Sequence, residues 1–561
     1  MIVLERMPDN RVRASRLTDD AETVTEQEFA VPELPGFVRE SEHLPTRWVW
    51  DSTAAWYPGL LSHGVRVDRC VDLALSHAIL RASALTAGSE LARTDDGRWA
   101  ALNPAPDTAD AGAALFELGA DETERIDPVA ELRLQLSAVA EASEPGRMRL
   151  LLAAESAGAL IAAEMRFAGL PWRSDVHDRL LTSLLGSRVP HGTRPRRMEL
   201  LAGEIRTALE SPELNPDSQS ELLRALRAAG LVVATTRAWE LKQLEHPAIP
   251  PLLEYKKLAR LLSANGWSWM DAWIIDDRFH PDYVPGGVVT GRWATRGGGA
   301  LQLPKQIRGA VVADAGWKLV VADAAQLEPR ILAALSADTA MATAGRGHDL
   351  YDGIVASGAV DTRAQAKVAM LGAMYGATTG DSGRLVPRLA RAYPRALALV
   401  EDAARAGERG DVVTTWLGRS SPRPGGSWDQ TQARAFDPDA TDADERAARS
   451  QSRDWGRFTR NFVVQGSAAE WALCWMADLR NRLASLEPAE AGGAPAPFDR
   501  MPHLVFFLHD EVIVHAPASI AERVADEVRA AADSAGRLLF GDFPVEFALS
   551  IAIVDDYSQA D

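Results

Sequence analysis

The run LVFFLHDEVIV, Leu504 to Val514, decides how this chain is read. Two short apolar segments rich in β-branched and aromatic residues flank His509, Asp510 and Glu511, which predicts a hairpin carrying adjacent carboxylates at its bend. Two acids side by side repel each other, so a chain that sets them between buried strands calls for a cation there. A solvated turn could carry the same tripeptide. The metal reading therefore needs a partner acid elsewhere.

WKLVVADAAQLEPRILAALSAD supplies one: Trp317 to Ala322 predicts a buried strand with Asp323 at its end, followed by a turn into a helix. Pro329 fits that helix only in its first turn, where the missing N–H costs nothing. Ile331, Leu332 and Leu335 then form the apolar face. Gln326, Glu328 and Arg330 after the acid are more polarity than solvation of one edge requires, although capping is the plainer alternative. Two strand-borne acids far apart in sequence suit a pair of hard cations that activate an attacking oxygen and stabilise a leaving one.

Two helical stripes follow. In DTRAQAKVAMLGAMYGAT, Arg363, Lys367, Leu371 and Tyr375 recur every four residues and share one face, with Asp361 or Thr362 as the cap and Gly376 as the end. Cations one turn apart match a polyphosphate, and an aromatic two turns on matches a base. An amphipathic helix with a wet basic edge has the same pattern. In GRFTRNFVVQGSAAEWALCWMADL, Arg457, Asn461 and Gln465 form a second stripe. Its donors could reach the minor-groove acceptors that every base pair presents alike, or could simply face water.

Taken in order, TGRWATRGGGALQLPKQIRGA, VVADAAQLEPRILA, RAQAKVAMLGAMYG, RFTRNFVVQGSAAE and FLHDEVIVH resemble the family A DNA polymerases, the group of bacterial DNA polymerase I. The resemblance runs from about Glu155 to the C-terminus. It implies a right-hand polymerase of α/β multidomain class, with an antiparallel palm sheet and helical fingers and thumb, preceded by an RNase H-like exonuclease-type domain. It also implies a DNA-directed DNA polymerase that uses primer-template DNA and deoxynucleoside triphosphates. Asp323, Asp510 and the Ala324 carbonyl would hold two Mg²⁺ ions, Mn²⁺ being the alternative metal, with Glu511 beside them. Arg363 and Lys367 would bind the phosphates, with Lys367 protonating the leaving pyrophosphate; Leu371, Tyr375, Gln326 and Glu328 would complete the nucleotide site, Glu328 excluding a ribose 2′-hydroxyl. Arg292, Gln302, Arg457, Asn461, Gln465 and His509 would touch the duplex. The chain departs from the family in Ala324-Ala325 after the metal acid, in Pro329, in Leu371 where the family has Phe or Tyr, and in three glycines after Arg292 in place of asparagines.

Composition agrees with this reading. A chain of 561 residues, 47% hydrophobic, can build several cores. Its net charge of −18 argues mildly against non-specific nucleic-acid binding, yet local basic strips at Arg194–Arg197 and Glu254–Arg260 can still follow a duplex. Two cysteines, Cys70 and Cys474, support neither a disulfide framework nor a zinc site. The start MIVLERMPDN lacks a signal-peptide core, and a soluble, monomeric, cytoplasmic and nucleoid-associated protein without membrane contact is expected.

The expected organisation is a degenerate exonuclease-like domain over 1–150, thumb and lead-in to the palm over 151–285, palm over 286–338, fingers over 339–453 and palm again over 454–561. The acidic stretch Asp19 to Glu28 reads as a loop, as do SSPRPGGSWDQ and FDPDATDADE in the fingers. EPAEAGGAPAP, from Glu487 to Pro497, reads as a link. Asp51 and Asp72 fall near the acidic positions of a proofreading exonuclease, but the remaining acids of a four-carboxylate site are missing, so a non-cutting domain is expected. No 5′ nuclease domain is expected within these 561 residues. Two other readings remain: a non-catalytic primer-template binding protein derived from a polymerase, and an active 3′–5′ exonuclease.

Overall fold

Strands β12 (His503–Leu508) and β13 (Glu511–Pro517) form an antiparallel hairpin around the two residues His509 and Asp510. Nearly every residue of both strands is buried, which explains why their sequences run continuously apolar instead of alternating. In this computed structural model of the protein, residues 1–561 are described except 95–96, 103–125, 191, 348, 378, 488–491 and 561. Part of the link at Glu487–Pro497 therefore lies outside the described residues.

The chain divides into two compact units. The first comprises Met1–Ala168, Asp282–Arg296 and Gly316–Ile553. It opens with β1 (Ile2–Met7), β2 (Arg11–Leu17), β3 (Thr23–Ala30), β4 (Trp48–Trp50) and β5 (Cys70–Asp72), in the order β3-β2-β1-β4-β5. The first three strands pair antiparallel, whereas β4 and β5 run parallel to β1. The acidic stretch expected as a loop is split: Asp19–Glu22 turns, and Thr23–Glu28 belongs to edge strand β3. An edge strand exposed on both faces has no apolar alternation to betray it, which is why its sequence looks like a loop.

The second sheet of this unit has the order β12-β13-β11-β14, with β11 at Trp317–Ala324 and β14 at Leu549–Val554. A short hairpin of β9 (Tyr283–Val284) and β10 (Ala294–Thr295) holds the turn that carries Arg292. A helix of 43 residues, Asp442–Ala484, runs through the unit and buries its C-terminal half. Its start corrects the end of the loop expected at FDPDATDADE, where Thr441 and Asp444 form a capping box, and the helix Gly426–Ala435 corrects the second half of the loop expected at SSPRPGGSWDQ. Arg480 of the long helix is buried against Glu164, Nε to Oε2 at 2.9 Å, while Tyr57 donates to Glu164 Oε1 at 2.6 Å. This satisfied buried pair ties the long helix to the elements packed on the N-terminal sheet.

The second unit comprises Gly169–Pro281, Gly297–Ala315 and Val554–Asp561. It is mainly helical, with a small sheet of β6 (Leu170–Pro171), β7 (Ile274–Ile275) and β8 (Arg278–Phe279) in the order β6-β8-β7. Trp172, Trp269 and Phe279 pack together with ring centroids 5.2–6.1 Å apart. Gly297 and Gly298 lie at positive φ against the Trp273 indole, where a Cβ would come within 2.5 and 2.9 Å of ring atoms. That contact gives a packing reason for two of the three glycines that follow Arg292 in sequence, whereas a Cβ at Gly299 would meet nothing within 4 Å. Among the described residues no helix is long and apolar enough to cross a membrane.

Candidate active site

The register of β11 on β13 sets Asp323 directly opposite Glu511, and the Ala324 amide donates to the Asp510 carbonyl at 3.0 Å. Like charges directly opposite on neighbouring strands are destabilising, so the arrangement costs stability that a bound cation would return. Burial first, then the Asp323 carboxylate, with Glu328 and Glu511 adding to it, pushes Asp510 up to about 7. The predicted hairpin acids and the distant strand-end acid thus share one neighbourhood. No three His, Cys, Asp or Glu side chains among the described residues converge tightly enough to hold a metal by themselves. Two carboxylates and a carbonyl fit magnesium nonetheless, because that ion keeps waters and takes further oxygens from substrate phosphates.

Backbone strain marks the same place. His509 at the hairpin bend and Gln326 at the start of the Leu327–Leu335 helix both adopt positive φ, 60° and 51°. Side chains rarely adopt this region, at a cost of about 1–3 kcal/mol each. Pro329 is the third residue of that helix, inside its first turn as the sequence requires. Arg330, whose role the sequence leaves open, is buried and donates to the carbonyls of Ala325, Gly345 and Glu546 at 2.9, 2.8 and 2.7 Å. It is a structural brace beneath the site.

The helix Arg363–Tyr375 forms as its stripe predicts, with Thr362 as the cap. Gly376 ends it at φ 73°, and a Cβ there would meet the Arg457 side chain at 2.9 Å, so the glycine both stops the helix and admits its neighbour. Tyr375 Oη donates to Glu328 Oε2 at 2.9 Å and accepts from Gln465 Nε2 at 3.1 Å. Burial, then Glu328, raises the Tyr375 pKa, and the Arg292 charge also acts on this hydroxyl. His509 is shifted down by burial and then by Arg292. Residues from five separated segments therefore meet: Asp323 and Glu328, Tyr375, Gln465, Asp510, and Arg292.

Lys367 is exposed one turn after Arg363, and Leu371, at 36% exposure, follows one turn later. Asn461 is half-buried with its Oδ1 unpartnered, and Arg457 pairs with Asp454. Gln302 is exposed and belongs to the second unit. Of the two basic strips, Arg194 is occupied by Asp217, Asn215 and Glu199, at 2.8, 2.7 and 3.2 Å, and Lys256 by Thr236 at 2.9 Å. Sequence reasoning missed Asp349 and Tyr351. Asp349 Oδ2 accepts from Arg363 Nη2 at 2.7 Å and from Gln326 Nε2 at 3.0 Å, and the Tyr351 ring centroid lies 5.4 Å from Arg363 Cζ. The Asp at a helix start was a visible cap signal; its contacts with Arg363 and Gln326 depend on tertiary structure.

The family model of DNA polymerase family A matches residues 195–557. The chain belongs to this family. Thermostable DNA polymerase I of Thermus thermophilus is 28% identical over 312 residues, which is 50% of this chain and 33% of that protein. Its Thermus filiformis counterpart is 25% identical over 64% of this chain and 43% of that protein, and DNA polymerase I of Chloroflexus aurantiacus is 26% identical over 62% and 36%. This family A chain thus aligns with about a third to two fifths of the length of these curated relatives. The POL domain of Pol1 from M. smegmatis, solved in complex with DNA primer-template and dNTP, matches 98% of this chain and 93% of its own, with a TM-score of 0.64 at 17% identity. The mixed α/β multidomain fold is therefore shared well beyond the region matched by the family model.

Proposed function

We propose that this family A protein is a DNA-directed DNA polymerase that extends a primer 3′ end with deoxynucleoside triphosphates on a DNA template. The observation that carries the proposal is the convergence of Asp323 and Asp510 with Glu328, Tyr375, Gln465 and Arg292. Bound at Asp323, Asp510 and the Ala324 carbonyl, two magnesium ions would lower the pKa of the primer hydroxyl and neutralise charge on the triphosphate. Arg363 and Lys367, one turn apart, bind the polyphosphate, and the Lys367 ammonium supplies a proton to the departing pyrophosphate. Glu328, held by the Tyr375 hydroxyl, disfavours a ribose 2′-hydroxyl. Arg292, Gln302, Arg457, Asn461, Gln465 and His509 hold the duplex.

The same proposal assigns 151–285 to the thumb and lead-in to the palm, 286–338 and 454–561 to the palm, and 339–453 to the fingers. It treats 1–150 as an exonuclease-like domain that does not cut. Local structure already occupies its acids. Asp72 accepts from the amides of Thr53 and Leu75 at 2.7 and 3.0 Å, and Asp51 Oδ1 from Trp56 Nε1 and the Ser52 amide, each at 2.6 Å. The protein would act as a monomer on chromosomal DNA in the cytoplasm, in repair or replication. The test is extension of a labelled primer with magnesium and four deoxynucleotides, beside a lane without nucleotides. Template-directed extension with an intact primer in the second lane is expected; duplex binding without extension would favour a non-catalytic DNA-binding protein.

A further inference from the structure

The helix Leu350–Ala356 begins with an acid whose second oxygen its capping role does not use. Asp349 Oδ1 caps this helix, accepting from the amides of Tyr351 and Asp352 at 2.9 and 3.1 Å. Its Oδ2 is shared by Arg363 Nη2 at 2.7 Å and Gln326 Nε2 at 3.0 Å. The Tyr351 ring faces the same guanidinium, and Asp352 stands 4.0 Å from Arg363 Nε. Arg363 is therefore held at one edge by a carboxylate and over one face by an aromatic ring, with half of its side chain still open to solvent.

A polyphosphate arriving at Arg363 meets this arrangement as a competitor. An ionised carboxylate and a phosphate oxygen both want the guanidinium edge, and like charges brought together there oppose binding. Burial pushes the Asp349 carboxyl up, but the Arg363 hydrogen bond and charge together with the Asp352 and Tyr351 amides hold it below its ordinary range. We propose that Asp349 is a positioning residue that keeps Arg363 and Gln326 in place in the nucleotide-free site and yields Arg363 to the incoming triphosphate, so that it sets the affinity of the site for polyphosphate. This rests on the polymerase reading above. An ion pair this exposed on its arginine side corresponds to roughly a two- to fivefold effect on affinity.

Asp349→Asn separates this role from the cap. Asparagine caps as well as aspartate, but an amide nitrogen in place of Oδ2 repels the two donors it held. The measurement is KM and kcat for the single correct deoxynucleotide on a primer-template, in wild type, D349N, R363A and the double variant. D349N is expected to lower KM two- to fivefold, and to change KM no further once Arg363 is alanine. A KM unchanged or raised in D349N, or the same fall in the Arg363→Ala background, overturns the role, because loss of a structural cap would move the melting temperature and not this coupling. Wild type that fails to extend at all overturns the polymerase reading; wild type that extends with a D349N KM equal to its own overturns only the assignment of Asp349.

Discussion

At the scale of single residues, the site is a set of charges that folding alone would not choose. Asp323 faces Glu511 across the sheet, and Asp510 is raised to about 7 by burial and by Asp323. A second buried acid, Glu470, is also pushed up to about 7, by burial first, against its hydrogen bonds from Thr415 and the Leu417 amide. Its folded-state value lies above the ordinary 4.5, so the stability it lends is full below about 4.5 and is lost as pH rises through about 7. Glu470→Gln is therefore expected to match wild type near pH 5 and to be the more stable protein at pH 8, by on the order of 3 kcal/mol. Denaturant midpoints at both pH values check it, and equal midpoints at pH 8 would contradict it. Leu371 is a different case: by resemblance the family places an aromatic there, and a ring offers stacking that leucine lacks. Leu371→Phe should lower the deoxynucleotide KM by about two- to tenfold. Identical KM values in the two proteins would refute that reading.

At the scale of elements, the site was legible wherever the signal was local. The hairpin, the strand ending at Asp323 and the helix with Arg363, Lys367, Leu371 and Tyr375 each carry their own periodicity, so their faces follow from the chain alone. Edge strand β3 and the first turns of the long helix were read as loops because exposed elements lack an apolar face, although the Thr441 and Asp444 capping box was present in the sequence. Asp349, Tyr351 and Arg330 could not be assigned from sequence, since their partners lie on other elements. One helix contact gives a sharp prediction. The helix Pro394–Glu408 meets the long helix at Gly407, where a Cβ would stand 2.0 Å from Thr459 Oγ1. Gly407→Ala should destabilise this helix pair by roughly 1–3 kcal/mol, whereas Gly425→Ala, with nothing within 4 Å, should be neutral. Chemical denaturation of both variants checks it, and equal midpoints would contradict it.

At the scale of the whole molecule, a net charge of −18 gives no hint of membership in a DNA polymerase family, because a global sum says nothing about where basic groups gather. The order of separated motifs carried the family, and the fold then brought Asp323 and Asp510 together across nearly two hundred residues of chain. If that meeting forms the proposed metal site, single-turnover incorporation depends on Asp510. Wild type and Asp510→Ala would be mixed with a labelled primer-template, magnesium and the one nucleotide complementary to the template. Wild type should add that nucleotide, and Asp510→Ala should be slower by on the order of 10³-fold while still binding the duplex, since losing a metal ligand removes several kcal/mol of transition-state stabilisation. Equal rates in the two proteins would show that Asp510 holds no catalytic metal.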